Sequence, residues 1–167
     1  MFLEKIDDTN DLKKLNRKEL KELANEVRAA LINKISKAGG HSGPNLGMVE
    51  MTVALHYVFD SPNDKFVFDV SHQSYPHKIL TGRKEAFLDE EHFHDVTGYT
   101  NPLESEHDMF TIGHTSTSVS LALGLAIGRD LNKKAENIIA IIGDGSLSGG
   151  EALEAIDYAG EYNKNLI

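Results

Sequence analysis

Gly143-Asp144-Gly145 is where residue type and spacing point most directly to chemistry in this chain. The triplet follows an apolar run at residues 137–142, and in open α/β sheets ligands gather beyond the carboxyl ends of the strands. Two glycines permit a tight turn and let a ligand approach the backbone, while Asp144 offers a hard oxygen of the kind Mg²⁺ takes. Ser148-Gly149-Gly150-Glu151 then has the spacing of a capping box, which would open a helix whose free N–H groups face an anion. Strand, acid, turn and helix start together predict a corner for phosphate and metal. Gly-Asp-Gly alone is equally well explained as a turn with a helix cap. A Mg²⁺ ion on a diphosphate takes one or two carboxylates, so Asp144 would supply only part of the shell.

Three histidines lie among small or polar neighbours, in Gly40-His41-Ser42-Gly43, Ser71-His72-Gln73 and Gly113-His114-Thr115-Ser116. Imidazole donates to phosphate and exchanges a proton near neutral pH. A lone loop histidine is ordinarily solvated surface, but His72 follows a strand and His114 precedes a helix start, both places where α/β folds collect ligand groups. His92-Phe93-His94, beside Asp89, Glu90 and Glu91, reads as a solvated loop rather than a metal site. His56 falls within a helical stretch and reads as a hydrogen-bonded structural group.

These residues need elements to position them. Residues 1–16 are polar with little period. From 17 to 37, Leu20, Leu23, Ala24, Val27, Leu31, Ile32 and Ile35 recur at three- and four-residue steps, which predicts an amphipathic helix ended by Gly39-Gly40. After a loop at 41–45, a second helix is expected over 46–58 with Met48, Met51, Leu55 and Val58 on one side. Residues 65–70 and 137–142 read as central parallel strands covered on both faces. Between them come a short helix with a long loop at 83–108 and a helix at 116–131, whose Ala122, Gly124, Ala126 and Gly128 would let a neighbour approach. A further helix is expected near 151–162, and Asn165-Leu166-Ile167 looks like the opening of another strand.

The bulk numbers set limits. A chain of 167 residues is one domain's worth and can bury a real core. The absence of cysteine excludes disulfides, thiolate nucleophiles and zinc–thiolate sites. A net charge of −9 points away from nucleic acid, which requires a concentrated basic surface. No stretch approaches the ~20 consecutive apolar residues of a membrane span. The opening Met1-Phe2-Leu3-Glu4-Lys5, followed by Asp7 and Asp8, has neither signal- nor transit-peptide character, so the expected location is cytoplasmic.

Longer runs carry a family resemblance. They are Gly39-Gly40-His41 with Asn45-Leu46-Gly47, then Val53-Ala54-Leu55-His56-Tyr57-Val58-Phe59, and the continuous Asp69-Val70-Ser71-His72-Gln73-Ser74-Tyr75-Pro76-His77-Lys78-Ile79-Leu80-Thr81-Gly82-Arg83. Glu104-Ser105-Glu106-His107-Asp108, Gly113-His114-Thr115-Ser116-Thr117-Ser118 and Gly128-Arg129-Asp130-Leu131 follow in order. In these runs, and in Gly143-Asp144-Gly145, the sequence resembles the 1-deoxy-D-xylulose-5-phosphate synthase family of transketolase-like thiamine-diphosphate enzymes. Three departures stand out: Ser71 where the family has Gly before the His, Pro44 at a small polar position, and Val96-Thr97-Gly98 in place of a Gly-Gly pair.

The resemblance implies an open, mostly parallel α/β sheet with helices on both faces, truncated, with residues 1–167 forming part of an N-terminal diphosphate-binding domain. It implies thiamine diphosphate and Mg²⁺ as cofactors. His72, Gly113, His114 and Thr115 would line the cofactor, Asp144 would bind Mg²⁺, Gly145 and Ser146 would approach the diphosphate, and His41 would assist proton transfer at the substrate. The Asn that completes the family's metal site would lie beyond Ile167. The implied reaction condenses pyruvate with glyceraldehyde 3-phosphate, with loss of CO₂, and needs the remaining domains of the enzyme and a second copy in a homodimer. The chain alone is expected to be inactive. Two other readings stay open: one subunit of a split transketolase-like enzyme, and a Mg²⁺-dependent phosphohydrolase built on Asp144. A nicotinamide-binding fold is weaker, because no G-x-G-x-x-G follows either strand.

Overall fold

The computed structural model describes residues 1–167 and resolves them into two compact units. One comprises Met1–Asp60 with His72–Gly98, the other Ser61–Ser71 with Tyr99–Ile167.

The first unit is helical. After a short turn, α1 (Thr9–Leu12) is opened by Asp8 and α2 (Arg17–Ala38) by Asn16. The Asn16 side chain accepts from the N–H groups of Lys18 and Glu19, and Glu19 reaches back to the Asn16 N–H, a complete capping box. The expected stripe is realised: Leu23, Ala24, Val27 and Leu31 are buried, and Gly39 ends the helix at φ 77° with its N–H on the Ile35 carbonyl. The first sixteen residues, unreadable by period, nevertheless bury Leu3, Ile6 and Leu12 in the same core. Elements of a single turn are too short to show a repeat.

The expected loop at 41–45 is instead the start of a helix, α3 (Ser42–Gly47), which kinks into α4 (Val49–Val58). The side of α4 expected to be buried is also corrected. Met51 and Val58 are exposed, and Val49, Thr52, Val53 and His56 face inward. The inner row mixes apolar and polar side chains, so hydrophobicity alone pointed to the other face. Helix α5 (Tyr75–Lys78) runs into a wide turn at Ile79–Arg83, where Gly82 takes φ 85°, and α6 (Glu85–Leu88) follows. Tyr75, Ile79, Leu80 and Phe87 complete the core begun by α2.

The second unit holds the sheet. β1 (Lys65–Phe68) and β2 (Ile138–Ile141) pair in parallel, with Phe66 opposite Ile139 and Phe68 opposite Ile141. Phe66, Val67 and Phe68 are all buried without alternation, as a strand covered on both faces requires. The Ile167 N–H bonds the Ile138 carbonyl and the Ala140 N–H bonds the Ile167 carbonyl. That is a parallel bridge on the side of β2 away from β1, as expected for residues 165–167.

Helix α7 (Ser118–Leu131) lies on the sheet through Ala122 and Ala126, which share a core with Val67, Ile112 and Ile138. Gly124 and Gly128, expected to allow close approach, instead border open space. Helix α8 (Gly150–Tyr162) packs on α7. No helix is long and apolar enough to cross a membrane.

Candidate functional site

In the first unit the structure brings His41 and His72 together. Their rings stand edge to face with centroids 5.4 Å apart, and the Tyr75 ring lies 6.2 Å from that of His41. The arrangement is held by Asn45, which is completely buried. Its amide nitrogen donates to the carbonyls of His41 at 2.6 Å and His72 at 2.8 Å, and its amide oxygen accepts the Tyr75 N–H at 2.8 Å. One side chain thus fixes the backbone at both histidines and at the start of α5.

Gly40 explains why no side chain is tolerated before His41. Its φ is 131°, and an added Cβ would stand 2.8 Å from the Tyr75 hydroxyl. Gly98 backs onto the same pair, with the Cβ position 3.5 Å from that hydroxyl and 3.6 Å from the His41 ring. Beneath these groups His56 and His77 are fully buried and stacked, with His56 Nε2 2.9 Å from His77 Nδ1. His56 is therefore the structural histidine expected. His92, by contrast, is exposed and pairs with Asp95 at 2.7 Å in the solvated loop anticipated for it.

In the second unit the chemistry gathers around the end of β1. Asp69 is 1 % exposed. Its two carboxylate oxygens accept the N–H groups of Ser116 and Ser118, each at 2.9 Å. Burial pushes this carboxyl up, but the Ser118 and Ser116 N–H groups and the Ser146 hydroxyl together hold it below the usual carboxylate range. The backbone turns sharply just beyond: the Ser71 N–H bonds back to the Asp69 carbonyl, and Val70 and Ser71 take φ values of 57° and 69°. Left-handed backbone at a β-branched residue costs about 1–3 kcal/mol and persists only where its surroundings fix it. Ser71 supplies such fixing. Its buried hydroxyl donates to the Ile112 carbonyl at 3.0 Å and accepts the Thr100 N–H at 3.1 Å.

Gly113, His114 and Thr115 stand exposed in a row between buried Ile112 and buried Ser116. At the end of β2, Gly143, Asp144 and Gly145 are exposed as well. The Asp144 carboxylate takes part in no hydrogen bond or ion pair, and a Cβ at Gly143, Gly145 or Gly150 would meet nothing within 4 Å. Ser146 is held differently. Its N–H bonds the Gly143 carbonyl, and its carbonyl accepts the Ser116 hydroxyl at 2.8 Å.

The capping box expected at 148–151 does not form: Gly149 is the cap residue without a side-chain bond, and the Ser148 hydroxyl donates to the Gly145 carbonyl instead. The intervening turn Ser146–Ser148 consumes the geometry that box requires. The start of α8 therefore keeps backbone donors for a ligand. An exposed carboxylate on a glycine turn beside such donors fits a metal-bound diphosphate. No group of three or more acidic or histidine side chains gathers at Asp144.

Sequence reasoning missed Asn45, Tyr75, Asp69 and Ser116. A signal existed for Asp69: a charged residue ending a buried apolar strand must be matched by donors. Ser116 had none, since its φ of 71° is a product of the fold.

The model of the family described as 1-deoxy-D-xylulose-5-phosphate synthase matches residues 3–167. The 1-deoxy-D-xylulose-5-phosphate synthase of Brevibacillus brevis is 51% identical over 100% of this chain and 27% of its own length. Those of Halalkalibacterium halodurans and Shouchella clausii are 52% and 53% identical, again over 100% of this chain and 27% of each relative. The chain thus spans about a quarter of the length of the curated relatives it matches. With that match extending over nearly every residue, the chain belongs to the 1-deoxy-D-xylulose-5-phosphate synthase family.

Proposed function

We propose that this chain supplies the diphosphate- and metal-binding part of a transferase that condenses pyruvate with glyceraldehyde 3-phosphate, releasing CO₂ and giving 1-deoxy-D-xylulose 5-phosphate. The observation that carries the reading is Asp144, exposed and unbonded on a glycine turn at the end of a buried parallel strand, beside the uncapped start of α8. Asp144 holds part of the Mg²⁺ shell. Gly145 and Ser146 shape the turn that meets the diphosphate, and Gly113, His114 and Thr115 present a second exposed row to the cofactor. His72 contributes to cofactor binding, and His41, whose ring meets that of His72, moves a proton at the substrate.

Thiamine diphosphate supplies the carbanion chemistry when bound, and the chain's own residues bind, orient and exchange protons. The reading carries with it further domains of the same enzyme, a homodimer and a cytoplasmic location, and it places the product in isoprenoid and thiamine precursor supply. Calorimetric titration with thiamine diphosphate and Mg²⁺ tests it, on this chain and on a form extended to the length of its relatives. Mg²⁺-dependent binding by the extended form is the expected result. Binding by neither would defeat the cofactor assignment.

A further inference from the structure

We infer that Asp69 is the positioning residue of the cofactor corner, fixing the 113–118 turn to the end of β1 and, through Ser116, to the 143–149 loop. The inference rests on the functional reading above for what those two segments grip, and on geometry alone for how they are held.

Four observations carry it. Asp69 is almost wholly buried yet charged, and its two oxygens are taken by two backbone N–H groups 47 and 49 residues further along. A buried carboxylate without such donors would be costly, so the 116–118 backbone is held where the acid is. Ser116 adopts φ 71°, a conformation that a serine keeps only when its surroundings impose it. Its hydroxyl donates to the Ser146 carbonyl at 2.8 Å, inside the loop that carries Asp144. Lastly, Gly149 presses on Ser116 so closely that a Cβ there would collide with the Ser116 hydroxyl, so the loop has one seat.

The chain is thus continuous from Asp69 to Ser116 to Ser146. An ordinary helix cap would explain the Ser118 bond, but not the Ser116 hydroxyl reaching the other loop. The acid suits this point because two backbone N–H groups meet there and each carboxylate oxygen accepts one of them.

Amide hydrogen exchange on the whole 167-residue chain, read beside its melting temperature, tests the assignment. In Asp69→Asn, exchange of the Ser116 and Ser118 amides should speed up about 10- to 100-fold, the ratio set by losing a hydrogen bond to a charged group. Ser116→Gly keeps the Asp69–Ser118 bond and relieves the left-handed backbone while removing the hydroxyl. It should speed exchange of the Ser146 and Leu147 amides about tenfold, with the Ser118 amide unchanged and no fall in melting temperature. This second variant decides the matter if Asp69→Asn does not fold. Unchanged Ser116 and Ser118 exchange in a folded Asp69→Asn overturns the assignment. So does Ser116→Gly leaving Ser146 and Leu147 unmoved, or a uniform loosening that merely follows the melting temperature. Added thiamine diphosphate with Mg²⁺ should slow exchange at 144–147 in the form extended to the length of its relatives, and less so in the Ser116→Gly variant of that form. No protection in the extended form would count against the functional reading, with the exchange rates still deciding for or against Asp69.

Discussion

The amide of Asn45 donates to the carbonyl of His72 across 27 residues of sequence, at 2.8 Å, and to that of His41 at 2.6 Å. Two histidines on separate segments are in this way held by a third side chain that has no chemistry of its own. Replacing Asn45 by Ala strands two part-buried carbonyls and the buried Tyr75 N–H, so unfolding free energy should fall by about 3 kcal/mol, each unsatisfied group costing roughly 1–3. Denaturant titration measures this. A change below about 0.5 kcal/mol would be that of an ordinary surface substitution and would remove Asn45 from its role.

Ser71 offers a test in which two effects oppose. Glycine would relieve the φ of 69°, a gain of about 1–2 kcal/mol, but would leave the Thr100 N–H and the Ile112 carbonyl without their partner. Those two groups outweigh the backbone gain, and Ser71→Gly should destabilise by about 1 kcal/mol. Equal or higher stability would mean that the hydroxyl contributes nothing.

The contact between Gly149 and Ser116 predicts non-additivity. Gly149→Ala should destabilise by about 1–3 kcal/mol through collision with the Ser116 side chain, because the φ of −76° at Gly149 suits any residue. Combined with Ser116→Gly, much of that cost should vanish, and a double-mutant cycle in urea reads the coupling. Simple additivity would show that the two residues do not touch.

Asp69 also sets a pH dependence. Its carboxyl is held below the usual range in the folded chain, so the stability it contributes is present above the unfolded-state value near pH 3.9 and is lost as pH falls through the lower folded value. Unfolding free energy measured downward from pH ~5 should therefore drop less steeply for Asp69→Asn than for the unaltered chain. Identical acid slopes would contradict the assignment. His92 behaves oppositely: the hydrogen bond to Asp95 raises its titration, so its ring should titrate above the ordinary histidine value by NMR and return toward it in Asp95→Asn.

Much of this layout was legible in the residues themselves. The 22-residue α2 announces itself by three- and four-residue spacing and by Gly39 at its end, and β2 by an unbroken apolar run. The turn at Asp144 follows from two glycines after that strand. What could not be read is tertiary. The inner face of α4 carries Thr52 and His56 beside its valines, so the pattern pointed to Met51 and Val58. Asn45, Asp69 and Ser116 act through partners on distant segments, and no local spacing encodes such pairs. The box at 148–151 failed because α8 begins at Gly150 with Gly149 as its cap, which leaves Ser148 one residue outside the cap position.

The claim on which the rest depends is that Asp144 holds a divalent ion together with a diphosphate. Calorimetry of thiamine diphosphate binding, with and without Mg²⁺, on the form extended to the length of its relatives and on its Asp144→Ala variant tests this most directly. The account predicts Mg²⁺-dependent binding that the variant weakens about tenfold or more, at least 1.4 kcal/mol. Binding of equal strength and equal Mg²⁺ dependence in the variant would contradict it.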